Sequence, residues 1–166
     1  RADHLRRSLA RWAREPLFTR DAVKRAGAVL GPRVLRADKR AASRFESLDG
    51  SSAPDAWHLA RIAAKRARYA AEVGAPALGR PSEDLAHMWT EVTEPLGDAQ
   101  DAVVQRALVL ERIADPSAPL SAGEAFTCGV LVAATHDREA AARSRASASW
   151  AASRATHRSL RKALGR

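Results

Sequence analysis

No stretch of this chain alternates apolar and polar residues with period two over the length of a strand, and runs of β-branched residues are absent. Alanine, arginine and leucine dominate, and all three favour helix. Helix is therefore the regular structure this sequence supports, and proline and glycine decide where each helix stops. We expect an all-α fold, an antiparallel bundle of about five to six helices with a long C-terminal helix.

The breakers predict a first helix over residues 2–14, stopped by Pro16. A second begins near Thr19, Arg20 and Asp21 and meets Gly31 and Pro32, where proline fits the first position of a new helix better than an interior one. That third segment runs to about Leu48, and the loop DGSSAP, residues 49–54, follows it. Asp55 is placed to cap the next helix, which Gly74 and Pro76 end. Residues 74–82 form a loop. Ser82, Glu83 and Asp84 open a helix that Pro95 and Gly97 kink or break before it resumes to about Ile113. After DPSAPLSAG a last helix runs from Ser121 or Gly123 to Ala163.

A chain of 166 residues suffices for a single helical domain with a real core. It does not begin with methionine, and we expect further sequence upstream. Cys128 is the only cysteine, which excludes an internal disulfide and a four-cysteine zinc site and fits a reducing, cytoplasmic setting. On its apolar segment Cys128 reads as a buried small hydrophobe. No run approaches the ~18 apolar residues of a membrane span, and the basic opening RADHLRRSLARWAREP lacks the apolar core of a signal peptide.

The net charge of +9 is unevenly placed. Residues 1–70 hold 17 Lys and Arg against 7 Asp and Glu, residues 71–132 hold 3 against 10, and residues 133–166 hold 8 against 2. Two basic blocks thus flank an acidic one. Like charges gathered this way create a field that concentrates anionic partners, although solvated faces of an arginine-rich chain give the same count.

The densest basic stretch is WHLARIAAKRARYAAE, residues 57–72. On a helix His58, Arg61, Lys65, Arg68 and Tyr69 fall within an arc of roughly 100°, with Glu72 inside it. Leu59, Ile62, Ala63, Ala70 and Val73 occupy the neighbouring arc and form the expected core face. Arg66 lies in the middle of that apolar arc, so we expect it to be an ion-pair partner, with Asp101 as one candidate, or to line a polar channel.

On the last helix His136, Arg143, Ser147, Trp150, Arg154 and Arg161 share one stripe, flanked by His157 and Arg158. Arg161 and Lys162 also suit the helix C-terminus. His4, Arg7, Arg11 and Arg14 repeat the spacing of His58, Arg61, Lys65 and Arg68, through either an ancestral repeat or the composition itself. Trp12, Trp57 and Trp89 read as core or groove packing.

Residues 57–69 resemble the hallmark of the conserved histidine α-helical domain, CHAD, approximately His-x-x-Arg-Ile/Val-x-x-Lys-Arg-x-Arg-Tyr. It is met here by His58, Arg61, Ile62, Lys65, Arg66, Arg68 and Tyr69. EPLGDAQDAVVQ, with Leu96, Gly97 and Asp101, is similar to a second family element, and Arg143 ahead of Trp150 to a third. These elements span residues 57 to about 150, whereas residues 1–56 match only in being basic and helical. The family usually carries two such halves. The resemblance therefore implies that this chain is the C-terminal half with lead-in helices, its upstream basic motif missing, and that self-association or the absent half completes it.

What the resemblance implies is non-enzymatic binding of inorganic polyphosphate in the cytoplasm, at polyphosphate granules. The site it implies is His58, Arg61, Lys65, Arg66, Arg68, Tyr69, Arg143 and Arg154, to which the repeated spacing adds Arg7 and Arg11. A bare phosphate chain suits arginine forks and lysine point charges without base-stacking aromatics. His58 would serve as a donor whose charge rises as pH falls. Two rivals stand beside this reading: a nucleic-acid binder, and a regulatory arm of a phosphohydrolase.

Asp98 and Asp101, three apart on one helix face, suggest paired carboxylates for acid–base work or Mg²⁺, yet acids in a first turn also suit the helix dipole, and that plainer reading is the stronger. No metalloprotease motif, phosphate-binding glycine loop or nucleophile elbow occurs, and we expect no metal, no cofactor and no membrane contact.

Overall fold

The computed structural model describes residues 2–16, 18–49 and 51–165. Among the described residues five α-helices follow in order: α1 Ala2–Arg14, α2 Ala26–Glu46, α3 Pro54–Leu78, α4 Arg80–Ala114 and α5 Ala122–Leu164. A short 3₁₀ turn, Arg20–Val23, precedes α2. The fold is all-α, with a long last helix, as the composition requires.

Helices α2 to α5 form an up-and-down ring. α2 packs on α3, α3 on α4, α4 on α5, and α5 closes back on α2. Gly27 of α2 lies against Ala77 and Leu78, and Gly31 against Leu78 and the Leu164 carbonyl, so the start of α2 meets the ends of α3 and α5. α1 stands outside this ring; apart from half-buried Ser8, its residues from Asp3 to Arg14 are exposed.

Several expected breaks are absent. α2 runs through Gly31 and Pro32, and α4 runs through Pro95 and Gly97. A proline removes one helical hydrogen bond and crowds the preceding turn. Packing on both sides outweighs that loss: Gly31 and Val34 are buried around Pro32, Val92 and Leu96 around Pro95.

α3 likewise continues past Gly74 and Pro76 to Leu78. The loop expected over residues 74–82 shrinks to Gly79, whose φ of 67° lies in the left-handed region that glycine tolerates. Ser82 does not cap α4; its hydroxyl is buried and donates to the Ala71 carbonyl at 2.8 Å. Asp55 is not the cap of α3 either, because Pro54 takes the first helical position and leaves Asp55 in the first turn. The loop over residues 49–54 is present, though Gly50 within it lies outside the described residues. At α5 the expected start holds, and the structure adds its cap: Ser121 precedes the first helical residue, Ala122, and Glu124 completes a reciprocal capping box with it.

The core face of α3 is rotated away from the expected one. Ala60, Ala64, Ala67 and Ala71 have no exposed surface, whereas Leu59 and Val73 are exposed. Small side chains let α3 approach its neighbours closely, and the volume is filled from across the interface by Val34 and Phe45 of α2 and by Leu85, Trp89, Val92 and Leu96 of α4. Arg66 therefore points outward and is exposed, as is Asp101, and the buried ion pair expected between them does not form.

Trp150 also leaves the basic stripe for the core. Its ring stacks on Trp89 at 5.2 Å and meets Phe45 at 5.7 Å and His157 at 5.1 Å. Beneath this cluster sits Asp38, fully buried, accepting from Trp89 Nε1 at 3.0 Å and lying 2.9 and 3.0 Å from His157 Nε2. Arg161 Nε lies 3.2 Å from the same carboxylate, so this arginine ties α5 to α2 rather than merely ending a helix. Trp57 is buried as expected, but Trp12 is exposed. Cys128 is only half-buried, on a segment of α5 with no buried neighbours.

Candidate anion-binding site

The first turns of α3 face the middle of α4 and of α5 across two adjoining clefts of about 290 and 600 Å³. Trp57, Pro54, Glu139 and Arg143 line both. His58, Arg61 and Gln100 complete the smaller one, and Arg106 and His136 the larger.

Glu139 organises the floor. It is buried, with Arg106 Nη2 2.5 Å from one carboxylate oxygen and Arg143 paired with the other. Arg143 also lies over the Trp57 ring, its guanidinium carbon 5.4 Å from the centroid. This pairing makes the burial of Glu139 tolerable, since one carboxylate is matched by two cations.

The arginines are not fully matched in return. Among the described residues, Arg61 Nε, Arg143 Nε and Arg106 Nη1 are buried without a hydrogen-bond partner. Buried donors are ordinarily satisfied, so three orphaned guanidinium nitrogens along the two adjoining clefts mark a place where an anion would complete the network. His58 stands at the mouth, its Nδ1 3.2 Å from Gln100 Oε1. When Nδ1 donates to that oxygen, Nε2 is left for another partner.

Two rim carboxylates, Asp49 and Asp55, balance part of this charge. Asp49 is turned to its own loop: hydrogen bonds from the Ser51 hydroxyl first, then from Ser52 and the Ser51 backbone, hold its carboxyl below the usual range. The positive excess lies along α3, where Lys65 and Arg68 are half-buried and continue the line of His58 and Arg61. Arg68 Nε stands 3.3 Å from Glu72, and its guanidinium lies 4.7 Å from the centre of the exposed Tyr69 ring.

The structure thus brings His58, Arg61 and Arg143 to one cleft and sets Lys65, Arg68 and Tyr69 along its extension. It does not bring in the rest. Arg66 lies roughly 120° around α3 from that line. Arg154 is exposed on α5 outside the cleft, and Arg7 and Arg11 sit on α1, apart from the ring.

Arg106 and Glu139 were not singled out from the sequence. A signal for the first existed: Leu96, Ala99, Val103 and Arg106 fall on one stripe of α4, with the arginine at its end inside an acidic block. Glu139 had none beyond its four-residue offset from Arg143. Asp98, considered for acid–base or metal chemistry, is an exposed partner of Arg145 at 2.9 Å.

A family model, CHAD domain, matches residues 1–110. The match takes in the basic helix and the Leu96–Gly97 element and extends over residues 1–56, where the sequence alone offered little. It stops before α5. No curated protein and no solved structure matches the chain.

Proposed function

Because the chain belongs to the CHAD domain family, we propose that it is a binding module for inorganic polyphosphate, with the cleft of Arg61, Arg106 and Arg143 as anchor and Lys65 and Arg68 as its continuation. The observation that carries this reading is the set of three buried guanidinium nitrogens without partners along two adjoining clefts, Arg61 on one, Arg106 on the other and Arg143 on both. Phosphoryl oxygens are the acceptors that planar guanidinium forks fit best, and a repeating phosphate chain can satisfy the cleft and the α3 line together.

Binding rather than catalysis is favoured by the state of Glu139. The carboxylate at the cleft floor is held by two arginines and so is engaged as a counter-ion, not free to take a proton from water. A module of this kind would carry itself or a fused partner to polyphosphate granules in the cytoplasm. Among the described residues, no helix is long and apolar enough to cross a membrane.

The test is a salt-titrated affinity for long-chain polyphosphate beside duplex DNA of equal charge, on the parent chain and on the Arg61→Ala, Lys65→Ala, Arg68→Ala triple variant. Binding that is tighter for polyphosphate, weakens with salt and falls at least tenfold in the triple variant is expected. Equal affinity for DNA would reduce the site to generic electrostatics, and an unchanged triple variant would remove the site assignment.

A further inference from the structure

We propose that the chain dimerises by packing α1 of one copy along an unsupported arm formed by α4 and α5 of another. The arm is defined by burial. The last buried residue of α4 is Ala102 and the first of α5 is Thr135; between them no residue is buried. Residues 103–114 and 122–134 therefore project beyond the four-helix ring as a two-helix hairpin. It leaves Val104, Leu108, Ile113, Phe126, Val130 and Leu131 each at least 44% exposed.

A helical hairpin has fewer partners than a bundle; Val104 and Leu108 share one face of α4, Phe126 and Val130 share one face of α5, and exposed apolar faces of this kind mark an interaction site. α1 has the complementary defect. Leu5, Leu9 and Trp12, spaced four and three residues apart, are each more than 50% exposed, and Ser8 falls in the same arc. Arg7, Arg11 and Arg14 lie on the opposite face, and among the described residues the apolar one is left exposed.

Length and charge both match. The 13 residues of α1 span roughly 20 Å, and the arm extends roughly 18–20 Å at the same rise per residue. α1 carries Arg6, Arg7, Arg11 and Arg14 against Asp3. With Arg106 taken up by Glu139, the arm carries Glu111 and Glu124 against Arg112, and Asp115 adds a further acid in the loop at its tip. α1 is thus a third helix for the arm in length, apolar face and charge.

Its own arm is out of reach. Residues Phe18, Thr19, Asp21 and Lys24 lie against the first turns of α2, where Asp21 meets Arg33 at 3.0 Å. That end of α2 sits beside Leu164, and the arm begins 30 residues back along α5, roughly 45 Å away. The chain between Arg14 and Phe18 bridges at most roughly 14 Å. Docking along the whole arm must come from a second copy. Reciprocal exchange then gives a closed two-fold dimer in which the same contact is made twice.

Sedimentation and light scattering on the full chain test this, with Leu9→Glu, Trp12→Ser as the disrupting double variant. A dimer that the double variant converts to monomer, with helical circular dichroism and the core melting transition retained, is expected. Ser8→Cys adds an independent reading, since Cys128 on the arm is the only native thiol: mild oxidation should trap a covalent dimer through a disulfide between the introduced thiol and Cys128 of the other copy. A monodisperse monomer at tens of micromolar, or a dimer indifferent to the double variant, overturns the proposal. So does a monomer whose α1 binds only anionic vesicles of phosphatidylserine and phosphatidylcholine. None of these outcomes bears on polyphosphate affinity.

Discussion

Glu139 Oε2 lies 2.5 Å from Arg106 Nη2, joining α5 to α4 beneath a cleft whose upper wall is α3. The carboxylate holds two arginines in place while occupying donors that an anionic ligand would also use. It is a structural counter-ion and, on the proposed function, would compete with the ligand.

Glu139→Gln should therefore separate folding from binding. Removing the charge leaves Arg106 and Arg143 without their counter-ion and should destabilise the ligand-free protein by on the order of 3 kcal/mol. Polyphosphate should bind several-fold tighter and recover most of the lost Tm. Thermal melts of parent and variant across a polyphosphate titration check both signs; a variant that loses stability and also binds more weakly would show that Glu139 helps to hold the ligand.

Asp38 accepts from Trp89, lies within hydrogen-bond distance of His157 Nε2 and is ion-paired with Arg161. Asp38→Ala strands two buried donors and should lower unfolding free energy by about 3–5 kcal/mol. Asp38→Asn keeps an oxygen for Trp89 and should lose less. Urea unfolding followed by tryptophan fluorescence measures the difference, because Trp89 and Trp150 stack within the same cluster.

Two helical glycines should respond in opposite directions. A methyl at Gly74 would lie 3.0 Å from Val34 Cγ2, 3.0 Å from Leu78 Cδ1 and 3.1 Å from Ser82 Oγ, so Gly74→Ala forces α2, α3 and α4 apart. A loss of about 1–3 kcal/mol is expected. A methyl at Gly97 meets nothing within 4 Å, and Gly97→Ala should gain about 0.5–1 kcal/mol from helix propensity. Denaturant midpoints at constant slope give both numbers.

The start of α5 should loosen in acid. The Ser121 hydroxyl, then the Ser121 backbone N–H, hold the Glu124 carboxyl below its usual range. A folded-state value that is lowered favours the ionised form. The contribution is thus fully present above the ordinary glutamate range and is lost as pH falls through the lowered value. Amide protection at Ser121 and Glu124, corrected for intrinsic exchange, should fall over that acid window and become insensitive to it in Glu124→Gln.

The line of His58, Arg61, Lys65 and Arg68 was legible because it depends only on helical spacing, and a regular helix forms there whatever surrounds it. The family resemblance rested on the same residues. Arg106 and Glu139 were not legible as site residues, since each acquires its role from a partner on another helix, 33 residues away in sequence. The orphaned nitrogens on which the proposed anion site rests exist only once three helices surround the clefts.

The division is physical. Composition, the absence of period-two alternation and the placing of proline and glycine determined an all-α chain and its long last helix, because these follow from local propensity. Only the tertiary structure decided which face of each helix is buried. It chose the alanines of α3 over Leu59 and Val73 because close approach to Trp89 and Phe45 fills more volume, and that choice turned Arg66 out to solvent. It carried α2 through Pro32 and α4 through Pro95 because packing on both sides outweighs one lost hydrogen bond, and it drew Trp150 from a basic stripe into the core. Local rules set what each segment can be; the competition for interior volume set which side of it faces in.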